Sequence, residues 1–95
     1  YKMKYINTKE LNKGNDLDIV MATAKYLKSA RIEKSLTGTE LGKLLNLSQQ
    51  QISRYENGQS AISIDSLHIY LKALGKDWLD YFRSVILVRV HANYY

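Results

Sequence analysis

Three helix starts follow one another closely in this chain, and they leave room only for very short helices. Thr37 is followed three residues later by Glu40, so the threonine hydroxyl and the glutamate side chain can satisfy two otherwise unpaired amides in a capping box. Ser48 and Gln51 repeat the device, and Ser63 caps a third helix. Each start is flanked by an apolar pair at staple spacing: Leu36 with Leu41, Leu47 with Ile52, Ile62 with Leu67. The stops are equally local. Asn46, Gly58 and Gly75 stand where a left-handed residue ends a helix. The spacing predicts helices over about 38–45, 49–57 and 64–74.

A longer helix is expected before them, over about 16–34. Asn15 or Asp16 offers its cap, and Leu17, Val20, Met21, Ala24, Leu27 and Arg31 fall on one helical stripe. In the helix over 64–74, Ile64, Leu67, Leu71 and Leu74 are expected to face inward. Asp77 caps a fifth helix carrying Trp78, Leu79 and Phe82, with Trp78 and Phe82 expected in the core. Val85 to Val90 is rich in β-branched residues, so this helix is expected to end near Ser84 and give way to an extended tail. The fold class is therefore all-α. The expected organisation is a flexible basic tail over 1–15, one helical domain over 16–84, and an apolar C-terminal tail over 85–95.

Composition narrows the function classes. With 95 residues the chain makes one small domain, and with no cysteine it has no disulfide, no thiolate metal site and no cysteine nucleophile. No apolar run is long enough to span a membrane, and no secretory signal is expected. The start at Tyr1 rather than Met points to a trimmed or tagged terminus. His68 and His91 have no carboxylate spaced to share a metal with them. Asp65, Ser66 and His68 sit too close on one short helix to converge on a substrate, and no Gly-rich phosphate loop exists, so neither catalysis nor a cofactor is expected. Net charge is +5, and residues 1–35 hold most of the excess, with 8 Lys/Arg against 4 Asp/Glu. Such a balance favours polyanionic partners.

Two short helices joined by a tight turn form a helix-turn-helix, expected here over about 37–57, which presents its second helix to the major groove of DNA. Leu41, Leu45, Leu47, Ile52 and Tyr55 supply the inward face. Gly42 sits where the two helices would cross, and Asn46 makes the turn. On the second helix Ile52, Tyr55 and Glu56 share one side, while Gln50, Ser53, Arg54 and Asn57 lie opposite, flanked by Gln49 and Gln51. A Gln amide can bind adenine N6 and N7 together, and Arg can bind guanine O6 and N7. Base-reading chemistry is therefore expected of Gln49, Gln50, Gln51 and Arg54, and Thr39, Lys43 and Ser53 are candidates for phosphate contacts.

Residues 31–75 resemble the Cro/C1 (XRE-type) family of bacterial and phage regulators. The likeness rests on Arg31, Leu36-Thr37, Glu40-Leu41, Leu44-Leu45, Leu67 and above all the run from Ser48 to Gly58. It implies a five-helix, lambda-repressor-like domain that binds operator DNA as a dimer, with the positions of Gln49, Gln50, Gln51 and Arg54 at bases and those of Asn57, Gln59 and Ser60 at phosphates. It also implies an ion pair between Arg31 and Glu56, which suits an inward-pointing carboxylate that needs a partner. Many relatives place Gln where this chain has Gly38, which leaves Gln49 less braced. The segment from Leu36 to Gly42 is similar to a subgroup regulating fimbrial operons and motility in enteric bacteria. The expectation is a cytoplasmic, nucleoid-associated homodimer reading a pseudo-palindromic operator in double-stranded DNA. Phe82, Val85, Ile86, Val88 and Val90 are the expected dimer surface. An antitoxin with the same fold and a toxin partner, or a protein-interaction module, are the alternatives.

Overall fold

The computed structural model describes residues 14–89, with side chains described from Ile19 to Arg89. Helix α1 spans Gly14–Glu33, α2 Gly38–Leu45, α3 Gln49–Glu56, α4 Ile64–Ala73 and α5 Trp78–Tyr81, which runs directly into a π-helical segment, Phe82–Leu87. The described residues contain no strand. Residues 1–13 of the tail expected over 1–15, and the last residues from Val90, including His91, lie outside the described residues; α1 already begins at Gly14, two residues before its expected start.

The boundaries follow the local chemistry. Thr37 and Glu40 close a full capping box: the Glu40 amide donates to Thr37 Oγ1 at 3.0 Å and the Thr37 amide to Glu40 Oε1 at 2.8 Å. That amide bond holds the Glu40 carboxyl below the usual carboxylate range. Its stabilising effect is therefore present above the ordinary carboxylate pKa and is lost as pH falls through the lowered one. Ser48 closes only half of its box. Its Oγ accepts from the Gln51 amide at 3.1 Å, but Gln51 does not reach back to the Ser48 amide, so the full box expected there is not formed. Ser63 and Asp77 cap α4 and α5 by the same half-device. Asn46 sits at φ 58°, the left-handed conformation that its short polar side chain tolerates, and turns α2 into α3.

Packing decides the rest. Leu27, Leu41, Ile52, Leu67, Tyr70, Leu71 and Val85 form the centre of the core, where α1 packs against α3 and the π segment, and α2 packs against α3 and α4. Gly42 is needed for a more specific reason than helix crossing. A Cβ there would lie 2.5 Å from the Leu47 carbonyl oxygen, so a side chain would collide with the backbone of the turn.

Several expectations are corrected at the C-terminal end. The chain does not become extended after Ser84; it stays helical to Arg89, with the wide turn of a π-helix. Burial of Val85, 1% exposed, outweighs β-branched propensity, because local preference yields to tertiary packing. Val85 is thus a core residue and offers no surface to a second chain. Tyr81 and Val85 take the inward positions, which leaves Trp78 (39% exposed) and Phe82 at the surface rather than in the core. The Trp78 ring lies parallel to that of His68 and donates its indole N–H to His68 Nδ1 at 3.0 Å. Ile64, also expected inward, is 75% exposed because Leu67, Tyr70, Leu71 and Leu74 occupy the buried stripe of α4. Met21 is likewise partly exposed rather than fully inward.

Gly42→Ala should destabilise the domain by about 1–3 kcal/mol, the usual cost of forcing a methyl into a filled space. Urea unfolding should show a lower midpoint with an unchanged slope. A midpoint at the wild-type value would mean that the turn is not closed on Gly42.

Candidate nucleic-acid interface

The outward face of α3 depends on what fixes its inward face. Ile52 is buried in the core, and one turn later Glu56 is buried as well. The Glu56 carboxylate accepts from Arg31 Nε at 2.8 Å through Oε2 and from Arg31 Nη2 at 2.9 Å through Oε1. The Tyr70 hydroxyl donates to Oε2 at 3.1 Å. The remaining Arg31 nitrogen, Nη1, donates to the Leu36 carbonyl at 2.7 Å, in the loop that leads into α2. One guanidinium therefore ties α1, the entry to α2 and the end of α3. The bond to Glu56 raises the Arg31 pKa, so the guanidinium stays charged. Burial, followed by the Glu56 charge, pushes the Tyr70 phenol well above its ordinary range and keeps it a donor. Among the described residues, no buried side-chain nitrogen or oxygen is left without a partner. This is the requirement a buried charge pair must meet to be tolerated.

With Ile52 and Glu56 turned in, the next positions face water. Gln49, Gln50, Ser53, Arg54 and Gln59 line one shallow, open groove of about 470 Å³. Among the described residues, Arg54 is its sole charge and no carboxylate lines it. The structure thus brings together three residues expected at bases (Gln49, Gln50 and Arg54) and two expected at phosphates (Ser53 and Gln59). Gln51 does not join them; it is half-buried and turned off the groove. Asn57 Nδ2 donates to Ser53 Oγ at 3.1 Å, so these two form a pair at the end of the helix. Ser60 is half-buried and lines a different cleft, between α1 and the start of α4, with Val20, Tyr55 and Ile62. Thr39 and Lys43 are exposed on α2, outside the groove. At Gly38 a Cβ would sit 3.7 Å from Gln49 Cγ, ordinary contact distance, so Gly38 leaves open the space beside Gln49.

Sequence reasoning missed Tyr70. It stands three residues after Leu67 on the buried stripe of α4, and that spacing was its available signal. Its ring meets Tyr55 of α3 edge-to-face, with centroids 6.3 Å apart. The groups around the groove can donate and accept hydrogen bonds from a projecting helix but include no paired nucleophile and base. Among the described residues there is also no cluster of His, Asp or Glu able to hold a metal, and no helix long and apolar enough to cross a membrane.

A family model described as helix-turn-helix matches residues 27–80, more than half of the chain. The chain belongs to this helix-turn-helix family of DNA-binding regulators. Its fold is similar to that of a solved protein, the clp gene regulator ClgR from Corynebacterium glutamicum. One crystal structure of ClgR superposes with a TM-score of 0.67 at 27% identity, covering 70% of this chain and 86% of that one. A second has a TM-score of 0.69 at 24% identity, covering 79% and 80%. No curated protein matches the chain.

Removing one partner of the buried pair should be far worse than removing both. Glu56→Ala leaves the part-buried Arg31 guanidinium without its carboxylate and should cost about 3 kcal/mol, the low end for breaking such a pair, whereas Arg31→Met combined with Glu56→Leu should recover most of that loss. Denaturant midpoints of the two single variants and the double variant check this. Strictly additive costs would show that the two side chains are not coupled.

Proposed function

We propose that this protein is a sequence-specific regulator that binds double-stranded DNA as a homodimer on a pseudo-palindromic operator. The observation that carries the reading is the groove face of α3: amide and guanidinium groups line it together, and Gln49, Gln50, Ser53 and Arg54 are exposed among the described residues. Eight residues of helix are about 12 Å long, which suits a major groove about 12 Å wide. Gln49, Gln50 and Arg54 read base edges, with Gln51 as an outer contributor. Ser53, Asn57, Gln59 and Ser60, with Thr39 and Lys43 on α2, meet phosphates. Counterion release by the lysines and arginine supplies the affinity that is independent of sequence.

One such helix reads too few base pairs to define a site, and two copies one helical turn apart resolve this. The surface for a second copy is the last helix, where Leu79 and Phe82 are exposed and Ile86 is half-buried at helical spacing, with Val88 beyond. The segment from Leu36 to Gly42 supports assignment to the control of fimbrial and motility genes. The protein acts in the cytoplasm at the nucleoid.

Selection from a random duplex pool should return two inverted half-sites. Arg54→Ala should then weaken binding to the selected site by about 1–3 kcal/mol and relax one base position in each half. A single half-site would contradict the dimer. An equal loss on random DNA would mean that Arg54 meets only phosphates.

A further inference from the structure

The turn that leaves α3 is closed on one side by its own backbone. The Gly58 amide donates to the Tyr55 carbonyl at 3.4 Å, and the Gln59 and Ser60 amides both donate to the Arg54 carbonyl, at 2.9 and 3.3 Å. Gly58 itself has φ +71°, the left-handed conformation that glycine adopts without strain. On its other side lies Met21 of α1. The Met21 sulfur occupies the space that a side chain at Gly58 would need, with Cε and Cγ 3.4 and 3.5 Å from that Cβ position. The thioether is thus a cap on the turn that carries Gln59 and Ser60. Yet Met21 keeps 41% of its surface open to solvent. The chain has no cysteine, and Met21 and Met3 supply its only sulfur atoms.

We propose that Met21 is an oxidation site whose conversion to the sulfoxide loosens the phosphate-binding turn; the effect on DNA rests on the regulator reading above. A sulfur lone pair attacks one oxygen of hydrogen peroxide and forms the S=O bond. The O–O bond breaks, and the departing hydroxide takes the proton of the transferred oxygen and leaves as water. Sulfur loses two electrons and the peroxide gains them. The new oxygen is a strong acceptor. The backbone amides of Gly58, Gln59 and Ser60 are already used, so the turn's main chain offers it no donor; it turns to water and draws the sulfur off Gly58. Gln59 and Ser60 then lose the support that holds them beside the Arg54 end of α3.

The test uses the full chain with Met3→Leu, so that Met21 is the one remaining methionine. Hydrogen peroxide is added until peptide mass spectrometry shows one oxygen on Met21. Affinity for the selected duplex should fall three- to tenfold and return after treatment with methionine sulfoxide reductases. The additional change Met21→Leu should make affinity indifferent to peroxide. In the DNA-free protein, the amide resonances of Gly58, Gln59 and Ser60 should shift on oxidation. If those resonances stay fixed with Met21 fully oxidised, the cap is overturned. If they shift and affinity does not change, its link to DNA is overturned. An untreated protein that binds no duplex overturns the regulator reading and that link, while the resonances still judge the cap.

Discussion

The buried carboxylate of Glu56 is the constraint on which the rest of the molecule turns. A charge in a small core must be answered, and here it is answered from two directions, by the Arg31 guanidinium of α1 and the Tyr70 hydroxyl of α4. Because Glu56 ends α3, these contacts do more than compensate desolvation. Together with Ile52 one turn earlier, they set the rotation of α3 about its own axis. A helix of two turns has little stability of its own, so its orientation must come from its neighbours. The same arginine reaches the Leu36 carbonyl, which links the entry of α2 to the exit of α3. The outward presentation of Gln50, Ser53 and Arg54 follows from what Glu56 does inside.

The turn between α2 and α3 is governed by backbone geometry rather than by charge. Asn46 takes the left-handed conformation, and the Leu47 amide donates to the Gly42 carbonyl at 2.8 Å. The chain closes so tightly on Gly42 that no side chain fits. Orientation of the reading helix thus has two independent supports. A hydrogen-bonded turn fixes where α3 starts, and a buried ion pair fixes how it ends.

How much of this was legible depends on whether the cause was local. The starts and stops of α2 and α3 could be read because each is made by residues within a turn of the boundary: Thr37 with Glu40, Asn46, Ser48, Gly58. The Arg31–Glu56 contact was reachable through the family resemblance, with which an inward carboxylate's need for a partner agrees. The spacing after Leu67 could signal that Tyr70 is buried, but not what its hydroxyl does until the partner it serves was in place. The last helix was misjudged for the same reason. Val85 looks like strand or tail until α1 is packed against it, and Trp78 looks like core until Tyr81 takes the inward position and His68 meets the indole. Ser35 adopts a left-handed φ of 59° after α1, in a residue whose type does not signal it. Within the groove, the wheel placed Gln50, Ser53 and Arg54 correctly on one face. It could not show that Ser60 lines the cleft beside α1, since the loop after α3 has no period to read.

Amide chemical-shift mapping during titration with the selected duplex tests the central claim most directly. If the buried pair orients α3 to face DNA, the largest changes should fall on residues 49–60 and on the side-chain amides of Gln49 and Gln50, while the exposed face of α4 around Asp65 and Ile69 stays fixed. Changes centred on α4 or on the last helix, with residues 49–54 unmoved, would contradict the account.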